Sequence, residues 1–131
     1  MKKTAAQLVQ EANAEITTVS LDEARALHGQ AGVSFIDIRD IRELQKLGKI
    51  AGAAHAPRGM LEFWADPESP YHRDLFASGN TLVLYCASAW RSALATKTLQ
   101  DMGVEKVCHL EGGFSAWADA GGPIDALESR S

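Results

Sequence analysis

The stretch Thr81-Leu82-Val83-Leu84-Tyr85-Cys86-Ala87-Ser88-Ala89-Trp90-Arg91-Ser92 decides how this chain is read. Its first five residues are β-prone without a break and follow the turn residues Gly79-Asn80, so they predict a buried strand. Beyond the strand, Leu94, Ala95, Thr98, Leu99 and Met102 recur at helical spacing up to Gly103, which predicts a helix over residues 90–102. A strand that passes through a short turn into a helix is the building unit of a parallel sheet.

Working outward, the same unit recurs. Residues 33–38 are an apolar run broken by Ser34 and Asp37, and a helical segment over 41–47 follows it, ended by Gly48. Residues 104–110 predict a further strand and 114–120 a last helix. Upstream, 16–19 is a brief β-prone run, and Ser20 with Glu23 has the spacing of a capping box that starts a helix through His28, stopped by Gly29. Residues 4–14 predict a short amphipathic helix with Ala5, Leu8, Val9 and Ala12 on one stripe. In the middle, 53–56 reads as a small strand ended by Pro57, with short helices over 59–65 and 71–76. The alternation predicts an α/β fold: a mostly parallel sheet covered by helices on both faces. It divides the chain into an N-terminal helical extension over 1–15, one domain over 16–127 and a C-terminal tail over 128–131.

Composition bounds the function classes. With 131 residues, 46% of them apolar, the chain holds one sizeable core and not two full domains. Thirteen Lys and Arg against seventeen Asp and Glu leave a net charge of −4, which argues against nucleic acid or an anionic membrane as partner. No apolar stretch approaches membrane-spanning length, and Gln7, Gln10 and Glu11 interrupt the run that a signal peptide starting Met1-Lys2-Lys3 would need. Two cysteines are too few for a disulfide scaffold, so free thiols and a cytoplasmic location are expected.

In an open sheet of this kind ligands gather beyond the carboxyl ends of the strands, and the loop after the most buried strand is Cys86-Ala87-Ser88-Ala89-Trp90-Arg91-Ser92. A turn leading into a helix aims unpaired N–H groups at its concavity, and the helix dipole and Arg91 add positive charge. A thiol placed there is expected to ionise below its usual value of about 8.5, which makes Cys86 a candidate nucleophile. The bland alternative is a buried cysteine packing as a small hydrophobe.

The same loop, with Asp37-Ile38-Arg39-Asp40, residues 48–53 (GKIAGA), 55–63 (HAPRGMLEF) and 110–117 (LEGGFSAW), resembles the single-domain rhodanese sulfurtransferases. The resemblance covers roughly residues 17–124, with the motifs in the family's order. It implies a central, mostly parallel five-stranded sheet and a Cys86 that carries a transferable sulfur as a persulfide. It also implies a small-molecule donor, thiosulfate or a persulfide, and an acceptor that is cyanide, a small thiol or a protein thiol, with no cofactor. Residues Ala87, Ser88, Ala89, Trp90, Arg91 and Ser92 would form the anion cradle, Ser88 adding a hydroxyl. Cysteine-dependent phosphatases, some built on a rhodanese-like fold, place five residues between Cys and Arg; four intervene here, a tighter bowl that suits one sulfur better than a phosphoryl group. Ser92 after Arg91 also fits the phosphatase pattern. A non-catalytic binding or redox-sensing module is the other alternative. Many members have Gly where this chain has Ala89, so the backbone there is expected to avoid positive φ. The neutral loop ending in bulky Trp90 is expected to match the thiosulfate dianion poorly.

Supporting roles are expected for Asp37 and Arg39, chiefly as an ion-pair and capping network with Glu43 nearby, with Asp37 orienting the loop as the functional reading. Arg58, in the HAPRG segment, is either a substrate contact or a surface arginine. Trp90 either walls the pocket mouth or caps the core, and Phe63, Trp64 and Trp117 are expected to pack. Gly112-Gly113 is expected to turn sharply beside the crevice. No metal site is expected: Cys108 and His109 are adjacent on a strand and point to opposite faces, and Cys108 reads as a core thiol.

Overall fold

A computed structural model describes residues 1–127, so the expected tail over 128–131 lies outside the described residues. In chain order the elements are α1 (Ala5–Glu15), β1 (Thr17–Val19), α2 (Leu21–Leu27), β2 (Val33–Asp37), α3 (Ile41–Leu47), β3 (Lys49–Ile50) and β4 (Ala54–His55). They continue with α4 (Leu61–Ala65), β5 (Thr81–Tyr85), α5 (Trp90–Asp101), β6 (Val107–Leu110), α6 (Gly113–Asp119) and β7 (Ile124–Asp125). The segments expected as helices over 59–65 and 71–76 are a 3-10 turn (Arg58–Met60) running into α4 and a second 3-10 turn (Asp74–Ala77).

Five strands form one sheet in the order β1-β6-β5-β2-β4, and every pairing in it is parallel. β5 is central, with Leu82 opposite Val107 on one side and Asp37 opposite Tyr85 on the other. Its side chains alternate between two cores because successive Cβ atoms leave opposite faces of a strand. Leu82, Leu84 and Cys86 join the cluster beneath α4 and α5, while Val83 and Tyr85 join that beneath α2 and α6, where Trp117 is fully buried. A third cluster is formed by Val9 and Ala12 of α1 against Ala93 of α5, so the N-terminal extension packs along the helix that follows the thiol loop.

Local chemistry accounts for the boundaries. Ser20 and Glu23 make the expected capping box, each side chain bonding the other's backbone N–H at 3.1 Å. Thr4 with Gln7 and Asp40 with Glu43 make two more. The antiparallel pair β3–β7 has no counterpart in the sequence reading, since two-residue strands carry no measurable alternation. Among the described residues no helix is long and apolar enough to cross a membrane.

Candidate active site

The loop after β5 turns on one residue. Ala89 adopts φ 77° and ψ 2°, the left-handed conformation, and is the N-cap of α5. This corrects the expectation that Ala at this position excludes positive φ: the tight turn imposes the glycine-like geometry and the alanine bears the strain, roughly 1–2 kcal/mol. Alanine offers no capping side chain, so the first N–H groups of α5 need acceptors from elsewhere. The sulfur of Cys86 takes that position: the Ser92 N–H, in the first turn, donates to Cys86 Sγ at 3.4 Å.

Cys86 is 1% exposed and belongs to the core cluster with Ile38, Ala56, Leu84 and Ala95. Its sulfur therefore forms the floor of the loop, engaged by the helix start while the rest of the residue sits in the core. The Ser92 hydroxyl lies 3.6 Å from the same sulfur and is itself 2.8 Å from Nδ1 of His109 on β6. Burial pushes the His109 imidazole down to about 4, so the ring is neutral near pH 7. Burial also pushes the Cys108 thiol up to about 11 on the opposite face of β6, in keeping with its expected place as a core thiol.

The far side of the loop is clamped by α6. The Phe114 N–H donates to Cys86 O at 2.8 Å and the Ser115 N–H to Ala87 O at 3.1 Å. That approach requires Gly113, at φ 62°, because a Cβ there would sit 2.6 Å from Cys86 O and 2.7 Å from Ala87 O. The loop carbonyls are tied to α6, while the Ser92 N–H is directed at the sulfur. The Gly112-Gly113 turn thus borders the site.

Arg91 is half-exposed and bound bidentately by Glu43 of α3, Nη1 to Oε1 at 2.7 Å and Nη2 to Oε2 at 3.0 Å. The pairing holds the Glu43 carboxyl below its usual range and raises Arg91 further. Glu43 keeps the expected capping bond, Oε1 accepting from the Asp40 N–H at 3.3 Å, and its carboxylate also spans to the thiol loop. Asp37 and Arg39 are both fully buried and pair with each other, Nη2 to Oδ2 at 2.7 Å and Nε to Oδ1 at 3.0 Å. Arg39 also donates to Gly48 O at 2.7 Å and lies 4.2 Å from the Phe114 ring, so the pair braces the end of β2 against the start of α6.

Among the described residues the hydrogen bonds that Arg58 donates run to Glu62, Thr98 and Ile38 O, none of them in the thiol loop. The Arg58 guanidinium donates to Glu62 at 2.6 Å and reaches Thr98 of α5 at 3.5 Å, eight residues and roughly 12 Å along the helix from Trp90. Trp90 is 55% exposed at the start of α5, which corrects the core-capping alternative. Phe63 is likewise exposed rather than packed, whereas Trp64 lies against the core with the Arg73 guanidinium over its ring. Ser88 is exposed on the loop. A cleft of about 490 Å³ lined by Ala65, Phe76, Leu82, Met102 and Val104 lies near the opposite, amino-terminal end of β5 and does not include the thiol loop.

Two residues that bond the partners of the thiol escape a reading of the sequence. Glu43 gives no sign of facing Arg91, and His109 reads only as half of a non-metal pair. The signal for His109 lies in strand alternation: opposite Cys108, it faces the side of the sheet that carries Cys86.

The family model for the rhodanese-like domain matches residues 20–120. Among solved structures, the chain is similar to a protein of unknown function from Rhodopseudomonas palustris, described as a possible tyrosine phosphatase. The two are 50% identical over 95% of this chain and 96% of that one, with a TM-score of 0.93. It is also similar to the polysulfide-sulfur transferase homodimer of Wolinella succinogenes, 30% identical over 92% of this chain and 85% of the other, with a TM-score of 0.68. A curated relative, an uncharacterized protein from Synechocystis, is 53% identical over 47 residues, 36% of this chain; the match spans only 26% of that relative's length.

Proposed function

The chain belongs to the rhodanese-like domain family, and on that premise we propose that it is a sulfurtransferase working through a persulfide on Cys86. The observation that carries this reading is the sulfur of Cys86 standing in for the side-chain acceptor that the N-cap Ala89 lacks, 3.4 Å from the Ser92 N–H, at the carboxyl end of the central strand. A helix start that lacks its own acceptor stabilises an anion at that point. The Cys86 thiolate attacks the outer sulfur of a donor; a sulfur–sulfur bond forms to Cys86, the donor's own breaks, and its remainder leaves with the electron pair, sulfite from thiosulfate or a thiolate from a persulfide. An acceptor thiol or cyanide then attacks the outer sulfur and returns Cys86 as the thiolate. Arg91, the loop backbone and the Ser88 hydroxyl hold the anionic donor and the persulfide.

Charge favours a small monoanionic donor over a dianion. Glu43 occupies both arms of the Arg91 guanidinium, so the loop carries little net positive charge. The same pairing weighs against phosphoryl transfer, which calls for an arginine free to grip two oxygens. The similarity to a protein described as a possible tyrosine phosphatase, and Ser92 following Arg91, keep that reaction as the second reading. Mass spectrometry separates the readings. After incubation with a small persulfide, and more weakly with thiosulfate, Cys86 is expected to gain one sulfur and lose it to added cyanide or thiol, and Cys86→Ser to gain none. Hydrolysis of an aryl phosphate without sulfur loading would establish the phosphatase instead, and neither reaction would leave a binding module.

A further inference from the structure

The structure assigns Ser92, His109, Thr18 and Asn13 as a proton path that links the buried thiol of Cys86 to the surface on the α1–β1 side, away from the loop. Cys86 Sγ, Ser92 Oγ and His109 Nδ1 follow one another at 3.6 and 2.8 Å, and His109 Nε2 stands 3.0 Å from Thr18 Oγ1 and 3.2 Å from Asn13 Oδ1. Sulfur, serine hydroxyl and imidazole are buried; Thr18 and Asn13 are exposed. The inference rests on the sulfurtransferase reading for its purpose, since a thiol that alternates between S–H and a sulfur anion beneath the surface must pass its proton somewhere.

The chain of bonds has two consistent directions. With the thiol protonated, S–H donates to Ser92 Oγ, the Ser92 hydroxyl donates to His109 Nδ1, and His109 Nε2–H donates to Thr18 Oγ1, with Asn13 Oδ1 beside it as a second acceptor. When the thiol ionises, the sulfur keeps the electron pair of its S–H bond and the proton passes to Ser92 Oγ. The former serine proton moves to Nδ1, and the Nε2 proton passes to Thr18 Oγ1, whose own proton leaves to water. One proton has been released, the imidazole is neutral again as the other tautomer, and the Ser92 hydroxyl now donates to the sulfur anion. A neutral ring suits this task because burial disfavours a trapped imidazolium, as the low pKa of about 4 requires.

The charged groups near the path are, at its sulfur end, Arg91 of α5 with Glu43 of α3 bound to it. At its outlet they are Glu15 of α1, two residues from Asn13 and paired with Lys97 of α5, and Glu111, whose N–H bonds Val19 O beside Thr18. From β1, α1 and α5 the imidazole meets the neutral Thr18, Asn13 and Ser92. Ser92 touches the reacting sulfur, whereas His109, Thr18 and Asn13 act through it as positioning residues. Asn13 and Thr18 precede residue 20, where the family model begins, so the outlet is supplied by this chain's N-terminal segment.

The test is the tautomer of His109, read from its two ring ¹⁵N shifts on the full chain while Cys86 is titrated, a measurement that needs no sulfur donor. Ionisation of Cys86 is expected to move the ring from the Nε2–H to the Nδ1–H tautomer, and both Cys86→Ala and Ser92→Ala to abolish the switch. In parallel, the midpoint of Cys86 alkylation by iodoacetamide is expected to rise in Ser92→Ala and His109→Phe and to be restored in Ser92→Thr. A ring that keeps one tautomer throughout, that becomes imidazolium with the same midpoint, or that switches equally in Cys86→Ala overturns the path. Sulfur loading of Cys86 with a fixed tautomer would leave the transferase standing and remove the path alone.

Discussion

Ala89 and Glu43 are the residues at which this loop departs from the simplest expectation, and each departure is testable alone. Ala89 holds a left-handed backbone that glycine adopts freely. Ala89→Gly is therefore expected to stabilise the fold by about 1 kcal/mol, offset in part by the greater freedom of glycine in the unfolded chain. Thermal denaturation checks it; a lowered midpoint would show that the turn is not strained. Glu43 neutralises Arg91 through two hydrogen bonds across 48 residues of sequence. Glu43→Gln keeps the reach to the Asp40 backbone N–H that caps α3 but removes the charge. In a transfer assay the KM for thiosulfate is expected to fall several-fold with that for a persulfide little changed, and a KM that rises would refute the charge argument.

At the scale of elements, the site is the meeting of β5, α5 and α6. The first two are written openly in the sequence: TLVLY has no polar break, and the helical stripe from Leu94 to Met102 has a clear period, so strand, turn and helix are read with small boundary errors. The clamp from α6 is less legible. Gly112-Gly113 announces a turn, but its bonds to Cys86 O and Ala87 O depend on how two crossovers pack. Gly113→Ala drives a Cβ into both carbonyls at a positive φ, and an expected loss on the order of 2–3 kcal/mol, seen in urea denaturation, goes with loss of the loop geometry. An unchanged midpoint would mean that α6 does not hold the loop. The β3–β7 ribbon and the reach of Arg58 toward Thr98 were not legible at all, the first because it is too short for a period and the second because a long side chain has several partners in range.

Across the whole molecule, His109 couples acid stability to the sheet and to the α1–α5 layer. Its folded pKa of about 4 lies below the ordinary 6.5, so between those values the unfolded chain binds the extra proton. The stability it contributes is full above pH 6.5 and is lost as pH falls toward 4, by roughly 3 kcal/mol over the whole interval. Between pH 6.5 and 5 most carboxylates stay ionised, and a decline in unfolding free energy there is expected in the native chain and absent in His109→Gln. Equal slopes in the two proteins would exclude a buried neutral imidazole. The sequence by itself determined the strand–helix alternation, the one-domain size and the four-residue span from Cys86 to Arg91, because each is local along the chain and leaves a period or a spacing. Only the tertiary structure decided that Glu43 holds Arg91 and that His109, through Ser92, meets the sulfur. In a parallel sheet, neighbours at a strand end arrive on separate crossovers, and no spacing along the chain records which side chains then come within hydrogen-bond reach.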